Sequence, residues 1–425
     1  MVSFGTQPKG ISGPFDEEAA ESYRWVMLAL LWLLYAAFGL VSRSISPLIT
    51  PILKDLDMSY GQMGLVLGSW QMTYIAVAVV AGVIIDKWGV RKSLLVGVVV
   101  IGLSAALRYF PNGFVALLPV VALFGVGGPM ISIGAPKTIS VWFKGKSRGA
   151  AVGIYTTGPW VGGLLALAAT NSFVMPLTGY SWRLTFVCYG LLTLVVALLW
   201  WFLARDIKPT EATERSSMSD VFGRLIRVRN VRIVLIMGLL SFAIMHGFVQ
   251  WLPKILESRG LSPTMAGFVA SAPLLAAIPA VLIIPRLVPP HLRGRFIALF
   301  ALLVAVALLV SVAASGFALL VGLLLFGMAG YSLFPLVILI LMETPEVGSR
   351  YMGSAGGIFF CIAEVGGFMG PLIIGALVDM TGAFLTGISF LVILSLVIFT
   401  VTFLLKTLSG SSGVSSSPNS TRPGG

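Results

Sequence analysis

Apolar residues along this chain fall into about twelve long runs separated by short polar joints. Their approximate limits are 25–52, 60–85, 93–110, 114–142, 149–171, 183–204, 232–255, 264–285, 295–315, 317–342, 351–378 and 383–405. A helix rises about 1.5 Å per residue, so roughly 20 apolar residues cover the hydrocarbon core of a bilayer. Several runs exceed that length and are expected to tilt. A transmembrane β-barrel would need short alternating segments instead. The pattern predicts an all-α membrane protein with twelve transmembrane helices.

Composition agrees. Hydrophobic residues make up 57% of the 425 and charged residues 10%, with a mean hydropathy of +0.99. Soluble domains carry about 25% charged residues, so this much apolar surface has to face lipid. The first run follows an acidic arm, "DEEAA" at 16–20, without a basic leader or a small-residue cleavage site. It does not read as a removed signal peptide.

The basic residues set an orientation. With the N-terminus inside, Lys54, Arg183, Lys254 and Arg259 fall outside, and Arg43, Arg108 and Lys137 fall within spans or at their ends; the rest of the 28 Lys and Arg fall inside. Both termini are therefore expected in the cytoplasm of a cell whose inner membrane holds the chain. The net charge of +12 then reflects topology and predicts no nucleic-acid partner. Cys188 and Cys361 lie inside apolar runs and imply no disulfide framework. The tail "SGSSGVSSSPNSTRPGG" reads as disordered, and its "NST" sequon at 419–421 is discounted because it stays inside.

A long polar interruption divides six runs from six. The expected organisation is an N-terminal arm (1–24), a six-helix bundle (25–204), a central loop (205–231), a second six-helix bundle (232–405) and a tail (406–425). Within the loop region, "SDVFGRLIRVRNVR" has the spacing of a short interfacial helix. The halves echo each other. "FGVGG" at 124–128 matches "FGMAG" at 326–330, and Ser147-Arg148 matches Ser349-Arg350, both 202 residues apart. Ser59 and Gly64 match Ser262 and Gly267 at a shift of 203. Small residues are common in membrane helices, but agreement on one shift points to a duplicated unit.

The joint after the second run reads "GVIIDKWGVRK" at 82–92. Gly82, Asp86, Lys87, Gly89, Arg91 and Lys92 carry a glycine, three apolar residues, an acid, a base and a turn glycine followed by bases. This stretch resembles the signature of the major facilitator superfamily, with Val90 departing from the usual basic residue. The resemblance covers essentially residues 24–405. It implies two pseudo-symmetric six-helix bundles, alternating access, and a substrate site near the midplane between them, with Gly82, Asp86, Gly89, Arg91 and Lys92 acting as a conformational latch. Gly82 is expected at a close helix approach and Asp86 in a pair with a basic group of a neighbouring helix. The corresponding loop of the second half, "PRLVPPHLRGR", keeps bases but no acid. "GPWVGG" at 158–163 resembles a glycine–proline motif associated with antiporters in that superfamily, and it is equally readable as helix packing. Val121 stands where many members carry an arginine ahead of a Gly-x-Gly.

Charges inside the membrane are costly and usually functional. Arg43, in "GLVSRSISPLI", lies roughly 13 Å from the outer end of its run, a long way to snorkel. A shift of 203 places His246 opposite it in the second half. The expected substrate-binding set is Arg43, His246 and Lys137, with Tyr74, Tyr155, Trp160, Tyr331 and Trp251 as candidate cavity aromatics. Arg108 reads as an interfacial anchor and Glu343 as structural. Glu364 is the acid deepest within a run and is the candidate proton-coupling group.

These readings predict a secondary transporter of a small anion, such as an organic carboxylate, coupled to protons or to a counter-anion. It broadly resembles the organic-anion, cyanate and nitrate porters, with no branch-specific motif. The alternative is an exporter of drugs or cationic solutes working through Glu364. No nucleotide loop, metal cluster or catalytic triad is legible, so no enzyme and no cofactor are expected. The chain is expected to act as a monomer.

Overall fold

The computed structural model describes residues 14–143, 145–206, 223 and 225–405. The expected disordered tail with its sequon, and most of the segment read as an interfacial helix, lie outside the described residues.

Helices follow the apolar runs closely. The first span is Pro14–Arg43, continued by Ser46–Leu48 and Ile49–Asp55; the second is Tyr60–Trp88 and the third Val90–Leu107. The fourth joins Phe114–Ala122 to Phe124–Trp142, and the fifth joins Gly145–Thr156 to Gly158–Ala169. The sixth is Trp182–Leu203, the seventh Arg229–Ser258 and the eighth Pro263–Leu287. The last four are Arg293–Ala313, Gly316–Glu343, Gly348–Thr381 and Phe384–Thr402. Among the described residues eleven helices are long and apolar enough to cross a membrane. The second span, bent between Ala78 and Val80, makes twelve when its two parts count as one. In the fifth span Pro159 offers no N–H to the carbonyl of Tyr155, and the helix breaks at Thr157.

The sequence repeat becomes a structural repeat. Ser59 caps the second span by accepting from Gln62 N–H, and Ser262 caps the eighth by accepting from Met265 N–H. Glycines then set the helix contacts. A Cβ on Gly125 would stand 2.1 Å from the Trp70 carbonyl oxygen, and one on Gly327 2.2 Å from that of Pro273. Gly162 stands in the same relation to Ala36 (1.9 Å) and Gly366 to Leu239 (1.9 Å). Helices in lipid gain little from burying apolar surface against each other, so close backbone approach at small residues does the work. The fourth span thus seats on the second and the fifth on the first. The tenth repeats this on the eighth, and the eleventh on the seventh. The sixth span turns Leu191, Leu192, Val195, Leu198 and Phe202 outward, as a lipid-facing helix must.

The halves meet through the second and eleventh spans and through the fifth and eighth. Gly64 and Gly267, paired in the sequence repeat, both sit at these seams. A Cβ there would stand 2.5 Å from the Pro371 carbonyl oxygen and 2.4 Å from that of Leu167. Among the described residues, the hydrogen bonds that join the halves run from the middle of the molecule to the face carrying Tyr60. Gln71 bonds to His246 and to the Gly367 carbonyl; Asp379 accepts from the N–H groups of Tyr60 and Gly61; Thr50 meets Glu257 and Lys254; Asn171 meets Pro263 and Thr264. The molecule is therefore closed at the Tyr60 face.

Candidate functional site

A cavity of about 660 Å³ lies between the halves and extends toward the face carrying Asp86, as far as Ala78, Pro136, Thr156 and Gly357. Arg43 marks its closed end. The first span stops at Arg43, and the chain turns into the short helix Ser46–Leu48. Arg108 holds this turn. Its Nη1 donates to Ser44 Oγ at 3.1 Å and to the Val41 carbonyl at 3.5 Å, and its guanidinium lies 5.1 Å from the Phe186 ring centre. A cation there also matches the negative end of the helix dipole. The sequence reading of Arg108 as an interfacial anchor is corrected: it is buried, 1% exposed, and shapes the end of the first span.

Arg43 itself is half-buried and lines the cavity. A Cβ on Gly163 would stand 3.2 Å from Arg43 Cγ, so that glycine makes room for the side-chain stem. Among the described residues no hydrogen bond or ion pair engages the guanidinium. Its guanidinium brings five donors to the cavity wall.

His246 lines the same cavity from the seventh span. Gln71 Nε2 lies 3.2 Å and Gln250 Nε2 3.3 Å from His246 Nδ1. Gln71 Nε2 also donates to the Gly367 carbonyl at 3.3 Å, which can only accept. That fixes the amide nitrogen, so Nδ1 accepts and the neutral ring carries its proton on Nε2. Glu364 is buried beside this group. A Cβ on Gly367 would meet Glu364 Oε2 at 3.0 Å, His246 Cδ2 at 3.3 Å and Gln71 Cγ at 3.4 Å. Among the described residues Glu364 Oε2 and Gln71 Oε1 have no hydrogen-bond partner. Arg43 is close enough to interact electrostatically with His246, Tyr331 and Glu364.

Of the predicted aromatics, Tyr74, Tyr155, Trp160 and Tyr331 line the cavity. Tyr74 Oη pairs with Ser132 Oγ at 2.6 Å, and Trp160 packs edge-on to Tyr331 across the halves at 4.6 Å. Trp251 does not line it. It is fully buried, donates to the Pro371 carbonyl at 3.0 Å and packs on Tyr60 and Phe384 near the closed face. Lys137 is also absent from the lining. Its Nζ pairs with Asp86 Oδ1 at 2.6 Å, tying the fourth span to the second. Both are moved out of the substrate-binding set, Trp251 because its indole serves the seventh and eleventh spans, Lys137 because its charge is matched by Asp86.

Around Asp86, Gly89 has a φ of +82°, a conformation suited to glycine. Arg91 N–H donates to Asp206 at 3.3 Å and its Nη2 to the Trp201 carbonyl at 2.7 Å, while Lys92 is exposed. Gly82 departs from expectation: a Cβ there would meet nothing within 4 Å. Removing the Asp86–Lys137 pair with Lys137→Gln is expected to leave substrate affinity within about twofold while lowering turnover, since a half-exposed pair contributes about 1 kcal/mol or less. Counterflow kinetics check this, with an affinity loss above tenfold returning Lys137 to the binding set.

Sequence reasoning missed Tyr35, Ser132, Thr156, Phe242, Phe334 and Phe360, all on the wall. Tyr35 falls two helical turns before Arg43, a spacing that puts both on one face. The first half supplies the polar residues Tyr35, Tyr74, Ser132, Tyr155 and Thr156, and the second half supplies Ser241, His246 and Tyr331 together with the apolar Phe242, Met245, Phe334 and Phe360.

The family model described as Major Facilitator Superfamily matches residues 31–371. A hexuronate transporter of Bacillus subtilis (strain 168) is 26% identical over 384 residues, covering 84% of this chain and 88% of that one. A D-galactonate transporter of Escherichia coli O6:H1 is 22% identical, covering 78% and 84%. Among solved structures, a bacterial homologue of the human lysosomal transporter Spinster, in an inward-facing and occupied conformation, superposes with a TM-score of 0.73 at 16% identity. It covers 90% of this chain and 96% of that one.

Proposed function

Because the chain belongs to the Major Facilitator Superfamily, it is a multi-pass membrane transport protein and not an enzyme, and we propose that its cargo is a small organic anion held at Arg43. The observation that carries this reading is the guanidinium on the cavity wall with no acceptor among the described residues. An arginine can hold a carboxylate through two parallel charge-assisted hydrogen bonds. The hydroxyl-bearing wall beside it suits the oxygens of a hydroxy acid, and the phenylalanine wall suits an apolar ring face. Relatives named for hexuronate and galactonate support the same class. The exporter of cationic solutes is not favoured, because the charge that faces the cavity is positive and Glu364 lies buried behind the wall.

We place residues 25–204 and 232–405 as the two moving bundles of a monomer, with both termini on the cytoplasmic side and the Asp86 face inward. Transport is coupled to protons or to exchange against a counter-anion. Glu364, buried with an unpartnered oxygen beside His246 and within reach of Arg43, is the coupling group. In proteoliposomes an inward proton gradient is expected to raise uptake. Glu364→Gln should remove that dependence while sparing counterflow. Uptake by the unmodified protein that ignores the gradient leaves uniport or exchange as the mode.

The cargo class is tested by thermal shift on the purified protein. A ligand that binds only the folded state raises apparent stability, by about 2.7 kcal/mol at a hundredfold excess over its Kd. Sugar acids and other hydroxy acids should stabilise it and organic cations should not. Stabilisation by cations alone overturns the reading.

A further inference from the structure

The latch stretch has an echo that the 203-residue repeat does not generate. Gly82-Val-Ile-Ile-Asp86-Lys-Trp-Gly89 ends the second span. Gly375-Ala-Leu-Val-Asp379-Met-Thr-Gly382 ends the eleventh with the same spacing of glycine, three apolar residues, acid and glycine. Gly89 and Gly382 both take positive φ, +82° and +71°. The two spans run antiparallel at the seam between the halves. Asp379 lies at Tyr60 and Gly61, Pro371 at Gly64, Phe368 at Gly68 and Gly367 at Gln71. The two copies therefore lie at opposite faces of the membrane.

In this structure the Asp379 copy is engaged across the seam. Asp379 Oδ1 accepts from Tyr60 N–H at 2.9 Å and Oδ2 from Gly61 N–H at 2.7 Å. A helix N-terminus has unpaired N–H groups and a partial positive charge, and a carboxylate satisfies both. Gly375 makes the close approach possible, since a Cβ there would stand 2.2 Å from the Tyr60 carbonyl oxygen. At the other face a Cβ on Gly82 would meet nothing, and Asp86 pairs with Lys137 of its own half.

We propose that Asp379 is a positioning residue that holds the Tyr60 face shut by capping the second span, the mirror counterpart of the Asp86 latch. Each face then has its own acid, and the access equilibrium depends on the balance of the two. Losing Asp379 favours opening at the Tyr60 face, and losing Asp86 favours the state seen here.

Cys361 lines the cavity and the chain has two cysteines, so a Cys188→Ser background leaves one reporter thiol. Vesicles are oriented with an epitope in the loop at Asn112–Gly113, on the Tyr60 face, and treated with a membrane-impermeant maleimide. Asp379→Asn keeps the size but loses the charge and one acceptor. It is expected to raise labelling of Cys361 from the Tyr60 face by about five- to tenfold, the scale of one charge-assisted bond. Asp86→Asn should lower it, and the double variant should return toward the parent. If Asp379→Asn fails to fold, Asp379→Ser, which also loses the charge and reaches less far, should show a rise at least as large in the same direction. Unchanged labelling in a folded Asp379 variant, or the same direction of shift in Asp379→Asn and Asp86→Asn, overturns the proposal.

Discussion

Arg43→Ala is expected to weaken the apparent affinity for substrate by about ten- to a hundredfold, the scale of a lost charge-assisted contact of about 1.5–3 kcal/mol. The yield of folded protein should be unchanged. The second half of that expectation follows from the structure. Arg43 makes no hydrogen bond within the described protein, and the turn after the first span is held by Arg108, not by Arg43. Alanine removes a guanidinium that faces a cavity and opens no hole in a packed seam. Arg43→Lys retains the charge but loses the planar fork, so its affinity should fall between the two. Counterflow in proteoliposomes gives the affinity, and size exclusion of the detergent-solubilised protein gives the yield. Near-normal affinity in Arg43→Ala would make the residue structural.

The second large effect is on folding. Gly162→Val is expected to leave almost no monodisperse protein. The added Cβ would fall 1.9 Å from the carbonyl oxygen of Ala36; the oxygen belongs to backbone, and the Cβ position is fixed by the backbone. No rotamer change relieves that clash; the first and fifth spans would have to separate. Side-chain overpacking costs about 1–3 kcal/mol, and a backbone clash repeated at the seat of a whole span should exceed it. Gly149→Ala is the control. A Cβ there meets nothing within 4 Å, and alanine is favoured over glycine in a helix by up to about 1 kcal/mol. Fluorescence-detected size exclusion separates the two outcomes. A normal profile for Gly162→Val would contradict the packing account.

The twelve spans were legible because the bilayer demands length and apolarity, and both are visible residue by residue. The duplicated design was legible because helix seams demand glycine. Gly64 and Gly267, or Gly125 and Gly327, keep their spacing for a geometric reason. Arg43 and His246, which line the cavity, were visible because a charged or titratable group inside an apolar run stands out. Lys137 and Trp251 were misplaced for the complementary reason. A run of apolar residues shows that a side chain is within the membrane but not which way its helix turns it. Lys137 faces Asp86, and Trp251 faces the seam with the eleventh span. The phenylalanine wall gave no signal, since phenylalanine is equally common facing lipid. Arg108 was misread because its partners are a serine and a carbonyl 64 and 67 residues away, which no local pattern announces.

The central claim is that Arg43 recognises a carboxylate in this cavity. The most direct measurement is equilibrium binding of a hexuronate and of the neutral hexose with the same ring, to the unmodified protein and to Arg43→Ala. If the guanidinium holds the carboxylate, the acid binds the unmodified protein at least about tenfold more tightly than the hexose, and the two become equal in Arg43→Ala. If the acid keeps its advantage in Arg43→Ala, or never has one, the account is contradicted.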